Sequence, residues 1–159
     1  MAIKAGLDAA QPVVAPKYPA TGIWGYSSGA SAALFVSKTL KGLSWAIVGG
    51  GIYDLEDTSQ KSQDSYIKRE IEDVKASEGP KGLEDRSVAY DVAGMPKRII
   101  VYHGKDDTSV PMAQANSFAE TLNANEYQAT MQVIDGVGHE IPASTHRQIL
   151  DVLLHSVMK

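Results

Sequence analysis

The stretch Thr21-Gly-Ile-Trp-Gly-Tyr-Ser-Ser-Gly does more than any other to limit what this chain can fold into. A short apolar run enters a turn of serine and glycine, and the chain leaves it as the small-residue segment Ala30 to Leu40, closed by Lys41-Gly42. The first part reads as a buried strand and the second as a helix with a glycine stop. The same alternation recurs downstream. Trp45-Ala-Ile-Val is a second strand, punctuated by Gly49-Gly50-Gly51. Arg98-Ile-Ile-Val-Tyr-His is a third, followed by an amphipathic helix over about 112–122. Ala129-Thr-Met-Gln-Val-Ile is a fourth, followed by a closing helix in which Ile149, Leu150, Leu153 and Val157 share a face. Strands that alternate with helices imply an α/β fold, a three-layer sandwich around a short, mainly parallel sheet of about four strands. Ahead of the first strand, Ile3, Leu7 and Ala10 are spaced for one face of a short helix over about 2–14, ending at Pro12 to Pro16.

At 159 residues and 43% hydrophobic content, the chain is long enough for one domain with a real core, and 1–159 is read as a single domain. A formal charge of −4, with no Lys/Arg cluster, argues against nucleic acid as a partner. The chain has no cysteine, which excludes disulfides, thiolate metal sites and a cysteine nucleophile. No apolar run approaches the roughly 18 to 20 residues of a membrane span, and the N-terminus lacks the basic and apolar regions of a signal peptide. The compartment is left open by these features.

Between the second and third strands lies a polar excursion over about 54–91, in which Tyr66, Ile67, Ile71 and Val74 mark one helix that stops before Gly79-Pro80. Two readings stand for it, a solvated crossover helix and a small lid over a site.

Gly25-Tyr26-Ser27-Ser28-Gly29 matches G-x-S-x-G, in which the serine sits on a strained strand-to-helix turn and the residues two away must be small. The register selects Ser27. With Ser28 as nucleophile, Tyr26 and Ala30 would flank it, and tyrosine has no room there. A serine hydroxyl is a weak nucleophile at neutral pH and needs a base, with a third group to orient that base. Two polar segments are placed to supply them: His103 to Pro111 after the third strand, and Gly136-Val-Gly-His-Glu after the fourth. Both lie just past the C-terminal ends of strands, where an open parallel sheet carries its sites.

Together these segments resemble the α/β-hydrolase superfamily, and most closely its prolyl-oligopeptidase and dienelactone-hydrolase-like branches, in which H-G-x-x-D-x-x-V-P and G-x-G-H blocks carry acid and base. The resemblance puts the acid at Asp107, with Asp106 as its rival, and the base at His139. It implies that Ser27 attacks an acyl carbonyl, that His139 moves the proton, and that Asp107 holds the imidazole tautomer. The backbone N–H of Ser28 becomes one oxyanion donor. His103 resembles the family's structural histidine. His146 and His155 fall on the last helix at no ligand spacing, so no metal site and no cofactor are expected. Trp24, Trp45 and Tyr102 are read as packing residues.

The resemblance also implies that the chain corresponds to the second half of the family fold, because four strands and the loop bearing a second oxyanion donor normally precede the nucleophile strand. The strand around Ile23 and Trp24 is then expected to be an edge, covered by a second copy of the chain or by a partner segment. The activity expected is that of a carboxylesterase acting on small esters. A serine peptidase is one alternative, and a catalytically weak domain that works by association with another chain is the other.

Overall fold

The computed structural model describes residues 21–157. Four strands, β1 (Thr21–Tyr26), β2 (Leu43–Gly49), β3 (Arg98–Gly104) and β4 (Gln128–Ile134), form one sheet in the order β1-β2-β3-β4, with every neighbouring pair parallel. Helix α1 (Ser28–Ser37) carries the chain from β1 to β2, and α4 (Met112–Ala124) carries it from β3 to β4. Between β2 and β3 run α2 (Leu55–Lys61), α3 (Ser65–Arg86) and a single 3₁₀ turn at Val88–Tyr90; α5 (Ala143–Val157) closes the chain. The helix expected over 2–14 lies outside the described residues.

The central strands β2 and β3 are apolar on both sides because both faces of the sheet are covered there, whereas β4 has no buried residue. Ala46, Val48, Ile99 and Val101 point to one face, where they pack with Ala30 and Leu34 of α1 and with Ala115, Phe118 and Leu122 of α4. Their neighbours Ile47, Ile100 and Tyr102 point to the other face, against Leu153 and Val157 of α5. The period of two along each strand therefore divides one apolar run between two cores, and the layers are helix, sheet, helix.

Two local features depart from the sequence reading. Helix α2, Leu-Glu-Asp-Thr-Ser-Gln-Lys, has no apolar stripe; it is held by its cap, with Asp54 accepting from the Asp57 N–H at 3.0 Å. The chain also does not leave helix for good at Gly79-Pro80. Gly79 breaks the backbone at φ 71° and ψ −172° within α3, and Pro80 then restarts the helix, since its missing N–H is no loss in a first turn. Two hydrogen bonds from Arg86 to Glu78, 2.5 and 3.2 Å long, bridge the break.

Candidate active site

Ser27 sits between the last residue of β1 and the first of α1 with φ 54° and ψ −128°, a conformation that L-residues adopt only under constraint. Its N–H donates to the Gly49 carbonyl at 2.9 Å, which ties the turn to the end of β2. A Cβ on Gly25 would lie 2.7 Å from the Gly29 carbonyl carbon and 2.9 Å from Ala30 Cα, so the turn closes only with glycine there. The expectation that both flanking positions must be small is corrected at Gly29, where an added Cβ would meet nothing within 4 Å. All of the crowding is on the strand side of the serine. Ser28 opens α1, and its N–H therefore has no acceptor within the helix.

The structure brings Ser27, His139 and Asp107 into one hydrogen-bonded chain. Ser27 Oγ lies 2.8 Å from His139 Nε2, and His139 Nδ1 lies 2.8 Å from Asp107 Oδ2. Asp107 is buried while Asp106 is exposed, so the two candidate acids are separated by the turn after β3. The loop bearing His139 docks on that turn: Asp106 N–H donates to the Val137 carbonyl at 3.0 Å. Gly104 makes this approach possible, because a Cβ there would lie 2.8 Å from the Gly138 oxygen.

Burial alone would raise the Asp107 pKa, but hydrogen bonds from His103, His139 and the Val110 N–H together outweigh it and hold the carboxyl far below its usual range. The Val110 and Ser109 N–H groups reach Asp107 Oδ1 at 2.8 and 3.0 Å, which fixes the carboxylate plane. The hydrogen bond to Asp107 pushes the His139 ring above its ordinary value despite burial, with the charges of Asp107, Glu140 and Asp64 adding to it. A histidine so placed is oriented by the carboxylate and already in contact with the serine hydroxyl.

A cavity of about 560 Å³ opens at Ser27 and His139. Its walls are largely apolar, with Ile52, Leu55, Ile67, Ile71 and Val74, and Asp64, Glu70 and Arg86 are the charged residues on the lining. The excursion thus faces the site, and its near end is fastened to the acid loop. Ser62 Oγ donates to the Ser109 carbonyl at 2.6 Å, Gln63 N–H to the Thr108 carbonyl at 3.1 Å, and Ser109 Oγ to Asp64 Oδ2 at 3.1 Å. No motif announced these wall residues; the signal available was the apolar spacing of Ile67, Ile71 and Val74 on an otherwise polar helix.

The remaining histidines lie apart from this chain of contacts or behind it. His103 is fully buried and its Nε2–H donates to the Val110 carbonyl at 2.8 Å. His146 Nε2 accepts from the Tyr102 hydroxyl at 2.5 Å, and that hydroxyl in turn accepts from Trp24 Nε1–H at 3.1 Å. His155 is exposed on α5. Among the described residues, no three His, Asp or Glu side chains converge as a metal-ligand set.

A parallel sheet with helices on both faces, and a serine on a strained strand-to-helix turn bonded to a histidine and a buried aspartate, are the architecture and rim arrangement of the α/β-hydrolase class. The model of the prolyl oligopeptidase family matches residues 11–155, and the chain belongs to that family. Among solved structures it is similar to a Mycobacterium tuberculosis puromycin-hydrolyzing peptidase, with 22% identity and a TM-score of 0.72 over 93% of this chain and 23% of that one. It is also similar to the uncomplexed Pyrococcus horikoshii acylaminoacyl peptidase, with 15% identity and a TM-score of 0.76 over 95% and 26%. A truncated carbohydrate esterase from gut microbiota aligns with 18% identity and a TM-score of 0.74 over 99% and 67%. The chain spans about a quarter of the length of the two peptidases. No curated protein matches the sequence.

Proposed function

We propose that the chain is a carboxylesterase-type serine hydrolase that works through an acyl-enzyme on Ser27. The observation that carries this reading is the unbroken path Ser27 Oγ, His139 Nε2, His139 Nδ1, Asp107 Oδ2, with both contacts 2.8 Å long, opening onto an apolar cavity. Ser27 Oγ attacks the acyl carbonyl as its proton passes to His139 Nε2; the charge that develops on the ring is stabilised by Asp107. The carbonyl oxygen becomes an oxyanion, and the Ser28 N–H is one donor to it. Collapse expels the alcohol with the proton from His139, and water repeats the sequence to release the acid. The apolar walls supplied by Ile52, Leu55, Ile71 and Val74 suit a short, uncharged acyl chain.

Within this reading the excursion over 54–91 is a fixed wall of the acyl site rather than a swinging lid, since its near end is hydrogen-bonded to the acid loop. The test is hydrolysis of p-nitrophenyl acetate and butyrate beside Ser27→Ala and His139→Ala. Serine-dependent turnover is expected, and identical rates in wild type and Ser27→Ala would overturn the assignment.

A second reading, cleavage of acylated or amino-terminal peptide bonds, is favoured by the peptidases among the similar structures. It is separated from the first by measuring an N-acetyl amino-acid p-nitroanilide beside the corresponding ester. We also propose that a second copy or a partner segment covers β1, which among the described residues pairs only with β2. Sedimentation that shows a monomer at all concentrations would remove the second copy.

A further inference from the structure

Behind the serine, the residue before it makes a contact that the esterase chemistry does not require. The Tyr26 hydroxyl donates to the backbone carbonyl of His139 at 2.7 Å. We propose that Tyr26 is the positioning residue for the base: the dipeptide Tyr26-Ser27 grips His139 at two points, its carbonyl through the tyrosine hydroxyl and its ring through the serine. This inference rests on the esterase reading above.

The case begins with the loop. Residues between β4 and α5 have no regular secondary structure, and the docking of Val137 on Asp106 lies two residues before the histidine. Among the described residues, the hydrogen bond on the backbone of His139 itself is the one from Tyr26. A ring that must present Nε2 to one side and Nδ1 to the other needs its Cα held as well as its two nitrogens. An error of about 1 Å in such a site costs on the order of 100-fold in rate.

Tyr26 is itself well anchored. It ends β1, and its ring stacks on Tyr102 with centroids 5.9 Å apart at 28°. The edge of His146 meets it at 4.7 Å and 75°, and the His139 ring lies 5.7 Å away at 34°. Tyr102 and His146 are hydrogen-bonded to each other, so β3 and α5 both brace the tyrosine. Burial and the nearby Asp107 charge push the Tyr26 hydroxyl above the ordinary tyrosine range, and it stays a donor throughout the pH range in which the histidine titrates. Because Tyr26 and Ser27 are consecutive, the strained turn at Ser27 sets the separation of the two grips. The base is thereby registered against the nucleophile by adjacent residues rather than by two independent elements.

A purely packing role for Tyr26 would reside in its ring, and the clamp resides in its hydroxyl. Tyr26→Phe removes only the latter. Tyr127→Phe is the control: it removes another buried tyrosine hydroxyl that donates to a backbone carbonyl, that of Val92 at 2.6 Å, at the opposite end of the sheet from His139. For Tyr26→Phe the expected result is a fall of about 10- to 100-fold in kcat on p-nitrophenyl butyrate with KM within about twofold. The low-field proton resonance of the His139 Nδ1–H against Asp107 should broaden, while Tyr127→Phe keeps both kcat and the resonance of the wild type. The inference is overturned if Tyr26→Phe keeps kcat and an unbroadened resonance, or if both variants fall together with their melting temperature. Should wild type and Ser27→Ala hydrolyse the ester equally, the esterase reading fails. The resonance still decides the clamp in that case, since it requires no turnover. Should Tyr26→Phe fail to fold, the tyrosine is a core residue and the positioning role is lost.

Discussion

His103 Nε2 lies 3.3 Å from Oδ2 of Asp107, the same oxygen that faces His139, and both side chains are sealed from solvent. One imidazole thus sits behind the carboxylate and another in front of it. The rear one is pinned by its bond to the Val110 carbonyl, and its Nδ1 is buried with no partner among the described residues. The front one is half-buried and reaches the serine. Position decides the division of labour between two identical side chains.

Variants should separate the two. His103→Ala removes a buried ring and a donor to Asp107, and is expected to lower stability by about 2 to 4 kcal/mol. Asp107→Asn leaves the shape of the site but removes the charge and tautomer control, and is expected to lower kcat about 10⁴-fold. Denaturant unfolding and ester turnover on both proteins check this. Equal loss of turnover with unchanged stability in His103→Ala would show that the rear histidine takes part in proton transfer.

The shifted titrations set the pH behaviour. His139 must be neutral to accept the serine proton, and its pKa is raised by Asp107, so kcat/KM should rise with pH through an inflection above the ordinary value of about 6.5. Asp107→Asn should move that inflection down. For stability, the His139 proton favours the fold fully below about pH 6.5, and this contribution is lost as pH rises through the higher folded value. Asp107 acts oppositely: its depressed pKa stabilises the fold above about pH 4, and that contribution drains away as acid is added toward the folded value. A flat rate profile from pH 6 to 9 would take His139 out of the role of base.

Gly25 and Gly29 look equivalent in the motif and are not equivalent in space. Gly25→Ala drives a Cβ to within 2.7 Å of the Gly29 carbonyl carbon, and should misplace Ser27 and abolish fluorophosphonate labelling. Gly29→Ala meets open space inside a helix, where alanine is favoured by up to about 1 kcal/mol, and should label normally with a slightly higher melting temperature. If Gly29→Ala loses labelling while folded, a substrate or partner comes close to that helix face.

How much of this was legible in the sequence follows from where the information resides. Apolar, β-branched runs and glycine stops placed the strands; β2 and β3 stood out because burial on both faces leaves a continuous apolar signature, while β4 showed only alternating apolar residues. Helix α2 was not legible: apart from Leu55 it is polar, and its order comes from the Asp54 cap and from Gln114, whose Oε1 accepts from the Tyr53 and Asp54 N–H groups far along the chain. The grouping of Ser27, Asp107 and His139 was implied by the resemblance of three blocks to the α/β-hydrolase family, each block lying just past a strand on the same rim. The Tyr26 hydroxyl bond could not, because position x of G-x-S-x-G carries no constraint by itself. The cavity wall was half legible, as the spacing of Ile67, Ile71 and Val74 marks a stripe without saying what it faces.

That wall yields the last prediction. Ile71 is buried and Val74 half-buried on the side of α3 that lines the cavity with Ser27. If the acyl chain lies against this stripe, enlarging Val74 should shorten the longest acyl group accepted, and trimming Ile71 should lengthen it. Val74→Phe is expected to keep acetate turnover while lowering kcat/KM for hexanoate by about 10- to 200-fold, the range set by one or two methylenes' worth of contact. Ile71→Ala should shift the optimum toward longer chains and lose about 2 to 4 kcal/mol of stability as a buried truncation. Turnover of p-nitrophenyl esters from acetate to octanoate reads both effects on one scale. The opposed directions matter, because general damage to the fold would lower every ester together. A chain-length profile that keeps its shape in both variants would place the acyl group elsewhere and leave the stripe as packing between α3 and the sheet.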